Sequence, residues 1–142
     1  MRHEEDTDVR YVPCWKKIGI SKDRYQELLH FCRQYPEWKT EANSLVGIRA
    51  MKMDGQPRGS GKSNPVEIAA EKRERLMIKI NIVDECARAV CSGEWYAAII
   101  QNVCIGKSYT QMDRALMPTS DANAFFRRRR EFFELLDKRK GE

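Results

Sequence analysis

The chain has 142 residues, 33% of them charged, and a formal net charge of +5. That length suits one ordinary domain, or one compact domain with a small extra lobe, and the mild basic excess is compatible with a polyanionic partner without requiring one. No apolar run approaches the length of a membrane span and no secretory signal pattern is present, so the reading is a cytoplasmic protein with no membrane contact.

Residues 1–10 hold Glu4, Glu5, Asp6 and Asp8 with almost nothing apolar, the composition of a disordered arm. Tyr11 to Ile20 supplies Tyr11, Val12, Trp15, Ile18 and Ile20, a strap over a core. Ser21 caps a predicted helix through about Tyr35, with Tyr25, Leu28, Leu29 and Cys32 on one face. Pro36 ends it and fits the first turn of a second helix, from about Glu37 to Met51. Residues 11–53 thus read as an N-terminal helical hairpin, with Phe31, Tyr35 and Trp38 in its core rather than on a base-stacking surface.

Asp54 to Asn64, DGQPRGSGKSN, has no apolar anchor and reads as a flexible linker. Its Gly61-Lys62-Ser63 is not a phosphate-cradling loop, because Gln56 stands where the first glycine belongs and no strand precedes it. Asn64-Pro65-Val66-Glu67 is a strong helix start: a capping Asn, Pro at the first helical position, and Glu able to reach back. The helix is predicted to run to about Val90 and stop near Ser92-Gly93. Its Val66, Ala69, Leu76, Ile80, Val83, Ala87 and Val90 recur by three and four, interrupted at Arg73. That seam either packs inside the chain or joins a homodimer through Leu76, Ile80, Val83 and Ala87. Trp95 to Ile105 is a further apolar helix, and Gly106 lets the chain turn.

Gly106 to Lys138 reads as a helix-turn-helix. Ser108 and Gln111 have capping-box spacing, Leu116-Met117-Pro118 breaks the pattern, and Thr119 or Ser120 caps a second helix with Asp121 in its first turn. In that second helix Phe125, Arg129, Phe132 and Leu136 share a stripe, with Phe126 and Phe133 beside it, so this side is expected to face the core while Arg129 snorkels. Asn123, Arg127, Arg130 and Glu134 form another stripe, and Ala124, Arg128 and Glu131 a third. Between Lys107 and Arg130 six basic residues stand against Asp113 and Asp121, a local balance of +4. Small and polar residues at a helix start permit close approach to a groove; Asn reads adenine, and Arg grips guanine or phosphate. The expected DNA-binding set is Lys107, Ser108, Ser120, Asn123, Arg127, Arg128 and Arg130, with Arg127 on a base and Arg130 on phosphate. The competing reading is a solvated helix face with ion pairs such as Arg127–Glu131 and Arg130–Glu134.

The stretch from Asn64-Pro65-Val66-Glu67 through Lys72-Arg73-Glu74-Arg75 to Phe125-Phe126-Arg127-Arg128-Arg129-Arg130-Glu131-Phe132-Phe133 resembles phage-encoded late-gene activators of Gram-positive bacteria, of the RinA and ArpU type. Tyr25-Gln26-Glu27-Leu28 and Cys32-Arg33-Gln34-Tyr35-Pro36-Glu37-Trp38-Lys39 look similar to proteins carried by phages and prophages of gut Firmicutes, and the last helices resemble the DNA-binding region of sigma factors. The resemblance implies promoter DNA and host RNA polymerase as partners and a nucleoid-associated location. The sequence reading is therefore an all-α, double-stranded-DNA-binding transcriptional regulator of phage or prophage genes, whose residues 65–142 hold a long helix and the DNA-binding helix-turn-helix.

Two other classes fit the same features. A small terminase-like packaging subunit would form a ring of eight or more, where a regulator would form a dimer. A protein-interaction module would use the basic helix on an acidic protein and show no steeply salt-dependent duplex binding. No enzyme is expected: His3 and His30 have no partnered nucleophile, and no paired carboxylates are in view. The five cysteines, Cys14, Cys32, Cys86, Cys91 and Cys104, have no C-x-x-C spacing and are read as reduced, with no metal or other cofactor.

Overall fold

The computed structural model describes residues 12–52 and 64–141. The expected arm at residues 1–10, and all of the expected linker except Asn64, lie outside the described residues. Among those described, every regular element is helical and there is no strand, so the all-α expectation holds. No described helix is long and apolar enough to cross a membrane.

A single turn, α1 (Cys14–Lys17), opens the described chain behind Pro13. The next helix, α2 (Lys22–Arg33), is capped as expected: the Ser21 hydroxyl oxygen accepts from the Arg24 N–H at 3.0 Å. Leu28 and Cys32 of α2 are fully buried. After a break at Gln34, α3 (Tyr35–Lys52) starts with Pro36 in its first turn, where the missing N–H costs nothing. The 25-residue α4 (Pro65–Ala89) begins on Asn64, whose side-chain oxygen accepts from Val66 N–H at 2.9 Å and Glu67 N–H at 3.4 Å.

α3 and α4 run antiparallel. Tyr35 meets Asp84, Trp38 lies under Lys79, and Glu41 pairs with Lys72, so rising numbers on one helix meet falling numbers on the other. At the upper end Asp84 Oδ1 accepts from the Tyr35 hydroxyl at 2.5 Å and the Tyr96 hydroxyl at 2.6 Å, tying three helical segments to one carboxylate. Burial, reinforced by the bond to Asp84, pushes the Tyr35 hydroxyl's pKa well above its ordinary value. Tyr35 and Trp38 are buried, and Phe31 meets Trp38 edge to face at 4.9 Å, in keeping with their expected core role.

The α4 seam belongs to this core. Leu76, Ile80, Val83 and Ala87 are all buried within the one chain, so of the two readings of the seam it is the packing inside the chain that these side chains make, and they are not free to join a homodimer. Heptad spacing marks a buried face but does not say whether its cover comes from the same chain. Arg73, at the odd seam position, has its Nε buried without a hydrogen-bond partner.

α4 ends in a left-handed turn in which Cys91, Ser92 and Gly93 have φ of 46°, 58° and 84°. Only the glycine adopts that region without steric cost. α5 (Tyr96–Ile99) then continues as a π-helical turn, Ile100–Ile105, and ends on Gly106 at φ 95°. A Cβ at Gly106 would stand 3.7 Å from the Arg33 guanidinium, whose Nε donates to the Val103 carbonyl at 2.8 Å. The last helix, α6 (Ala122–Lys140), carries Phe125, Phe132, Phe133 and Leu136 into the core with no exposure at all. At its C-terminal end Arg24 of α2 donates to Asp137 Oδ1 at 2.7 Å and to the Asp137 and Gly141 carbonyls, a cation where the helix dipole favours one. Buried residues of α2, α3, α4, α5 and α6 belong to one continuous core.

Between α5 and α6 the chain departs from the expected pair of α-helices. The Ser108–Gln111 capping box is present, with Gln111 Oε1 accepting from the Ser108 N–H at 2.9 Å. It starts only a 3-10 turn, Tyr109–Gln111, and a second such turn follows at Arg114–Leu116. Three local forces stop an α-helix here. Met112 turns extended and is buried; Asp113 caps the second turn through the Ala115 N–H at 3.0 Å; Pro118 holds Met117 extended, and that side chain is buried too.

Candidate nucleic-acid interface

The exposed beginning of α6 is fixed from three sides. Asp121, not Thr119 or Ser120, is its cap: Asp121 Oδ1 accepts from the Asn123 N–H at 3.0 Å, while Thr119 Oγ1 accepts from the Asp121 N–H at 3.2 Å. The Asp121 carboxylate accepts from the N–H two residues on, as an Asx turn does, while the Thr119 hydroxyl is used on the Asp121 N–H and so lies one step outside the helix. The Ser120 carbonyl accepts from the Tyr109 hydroxyl at 2.8 Å, and the Tyr109 ring packs 5.6 Å from Phe125 and 5.9 Å from Phe126. Thus the 3-10 segment, rather than a supporting α-helix, props the start of α6.

Arg129 forms the clamp behind it. Its Nε donates to Asn102 Oδ1 at 2.7 Å and its Nη2 to the Tyr25 hydroxyl at 2.9 Å, with the guanidinium 5.0 Å from the Phe133 ring centre. Asn102 in turn donates to the Lys107 carbonyl at 2.8 Å. One arginine thereby joins α6, α2 and the end of the π-helical turn. Sequence spacing placed Arg129 in the apolar stripe; the polar partners that hold its head come from elsewhere in the chain and left no signal.

The four arginines therefore do different work. Arg127 is exposed on the outward stripe with Asn123, and Arg130 is half-buried on the same side. Neither forms an ion pair among the described residues, so the alternative pairs Arg127–Glu131 and Arg130–Glu134 are not made. Arg128 instead bonds Glu131 at 2.9 Å, at i,i+3 rather than the i,i+4 spacing expected for this run. It lies toward Cys91 and Glu94, with its Nε buried and unpartnered, away from Asn123. Of the expected set, Lys107, Ser108, Ser120, Asn123 and Arg127 are exposed, and the Asn102 and Tyr109 bonds bring the 107–109 segment beside the first turns of α6. Arg128 is the member the structure sets apart.

Two features escaped the sequence reading. Arg114 stacks its guanidinium 4.9 Å above the Tyr109 ring, beside the start of α6; it was visible only as one charge in the local balance. Phe126, expected in the core, is 40% exposed. It lines a cavity of about 410 Å³ with Trp15, Tyr25, Asn123, Arg129 and Arg130, where α1 crosses α6. Cys14 and Lys17 also line it. Burial raises the Cys14 thiol's pKa even though Arg129, Arg130 and Lys17 all draw it down.

Lys17, Lys107, Arg114, Arg127 and Arg130 give the N-terminal half of α6 a positive surround, against which Asp113 and the Asp121 cap are the nearby exposed acids in sequence. The chemistry on offer is recognition of an anion by charge and by arginine forks. Comparison with family models, with curated proteins and with solved structures finds no match for this chain.

Proposed function

We propose that this chain binds duplex DNA in a sequence-selective way, with the outer stripe of α6 in the major groove, and acts as a transcriptional regulator of phage or prophage genes. The observation that carries the DNA reading is the division of labour along α6. Arg129 is spent on holding the helix, while Arg127 and Arg130 stay unpaired beside Asn123 among the described residues. Arginines kept free of available carboxylates on a rigid helix are preorganised for an external anion. The regulatory and phage assignments, and host RNA polymerase as a further partner, rest on the resemblance of the sequence alone.

Arg127 is assigned to a base edge and Arg130 to phosphate. Binding of alanine variants to specific and random duplexes, at two salt concentrations, tests this. Removing Arg127 is expected to cost about 1–3 kcal/mol and to relax choice at one base pair. Removing Arg130 is expected to weaken all duplexes alike and lower the salt slope by about one unit. If both variants bind as the parent does, the DNA reading fails. The exposed Phe126 beside the Trp15–Tyr25 cavity favours one alternative, an acidic peptide with an aromatic anchor. Phe126→Ala then abolishes partner binding while duplex affinity was never salt-steep.

A further inference from the structure

α4 carries two apolar lines, and only one is covered within the chain. Opposite the buried Leu76–Val83 side, Ile68, Glu71, Arg75, Ile78 and Ile82 recur by three and four and so share an outer face. Ile68 and Ile78 are 50% and 57% exposed, the two most exposed large apolar side chains among the described residues. Ile82 is half-buried at the edge of the core. Glu71 and Arg75, between the two isoleucines, are exposed and form no ion pair among the described residues.

Two exposed isoleucines alone mean little, since scattered apolar side chains are ordinary on any surface. The charges between them are informative. Lay a second copy antiparallel on this face, about a two-fold axis level with Arg73. Ile68 then stands opposite Ile78 and Glu71 opposite Arg75, and symmetry repeats each pair. A parallel copy in register would stack Glu71 on Glu71 and Arg75 on Arg75. The face is thus complementary to itself in one direction only. Its two isoleucine contacts, about 15 Å apart at 1.5 Å per residue, bracket two ion pairs. Polar residues inside such a seam fix register and orientation at some cost in stability. The neighbouring Lys72 is drawn aside by Glu41 of α3 at 2.9 Å, which keeps it off the seam.

We propose that this outer face of α4 is a homodimer interface between two copies packed antiparallel. It is a different surface from the Leu76–Ala87 seam, which lies in the core, and it does not depend on the DNA reading.

Sedimentation equilibrium of the full chain over a concentration series tests it, with circular dichroism to check that each variant stays folded. The parent is expected to show a reversible monomer–dimer equilibrium. Glu71→Arg and Arg75→Glu should each weaken association by about tenfold or more, because like charges then face across the axis. The double variant E71R/R75E restores opposite charges and should return to within about threefold of the parent. Ile68→Asp with Ile78→Asp should leave a folded monomer. A parent that is monomeric throughout overturns the proposal. So does a dimer indifferent to the single reversals, or a double variant no better than either one.

Discussion

Replacing Arg129 with alanine separates the arginine that builds the site from those offered to a ligand. The change removes two charge-assisted hydrogen bonds, to Asn102 at 2.7 Å and Tyr25 at 2.9 Å, and a cation–π contact at 5.0 Å from the Phe133 centre. Hydrogen bonds to a charged group contribute about 1.5–3 kcal/mol each, and cation–π contacts about 0.5–2 kcal/mol. Arg129 is only half-buried, so water recovers part of this for the partners left behind. The expected loss is about 3 kcal/mol. Arg129→Lys should lose about half as much, since one ammonium cannot span both oxygens as the planar fork does. Arg127→Ala, at an exposed position, should change stability by less than about 0.5 kcal/mol. Urea denaturation measures all three, with unchanged m-values licensing the comparison. A loss below about 0.5 kcal/mol for Arg129→Ala, or an equal loss for Arg127→Ala, would refute the clamp.

Phe132→Ala should cost about 3–5 kcal/mol by the same assay, because the ring is fully buried between α6 and the core. Ser92→Gly should stabilise by about 0.5–1 kcal/mol, since a glycine relieves the left-handed strain at φ 58° at a smaller entropic cost; a loss instead would show that the serine side chain is needed there. Stability should also fall in alkali. Burial raises Cys86 from 9.0 to about 11, and burial with the Asp84 bond raises Tyr35 above its ordinary 10.0. The folded chain then keeps protons that the unfolded chain releases, so this stability is whole below about pH 9 and declines as pH rises through the thiol and phenol range. Denaturation midpoints from pH 8 to pH 11 check it, and a flat profile contradicts it.

The capped helices were legible because their signals are local. Ser21 and Asn64 each announce a helix start in the residues that immediately follow, and Pro36 and Gly106 mark turns through their own backbone chemistry. What the sequence left open depended on partners far along the chain. The spacing of Leu76, Ile80, Val83 and Ala87 requires a cover, yet nothing local says that the cover belongs to the same chain. The Ser108 capping box marks a helical start, but how far that helix extends is a competition. Buried Met112 and Met117, with Asp113 as a second cap, ended that competition after one 3-10 turn.

The arginine row shows the same division within four residues. Consecutive positions on an α-helix point about 100° apart, so Arg127, Arg128 and Arg129 had to face three ways whatever their function, with Arg130 coming back beside Arg127. Periodicity alone put Arg127 and Arg130 outward and Arg129 toward the apolar side. It gave no means to see that Asn102 and Tyr25 wait there, since these lie 27 and 104 residues away. Nor did it reveal that Arg128 would be bonded to Glu131 beside Glu94, while Arg127 and Arg130 stayed unpaired. A run of like charge is therefore a poor measure of a binding surface. Two of these four arginines are engaged by the protein itself, and a ligand of this helix has only Arg127 and Arg130 of the row to meet.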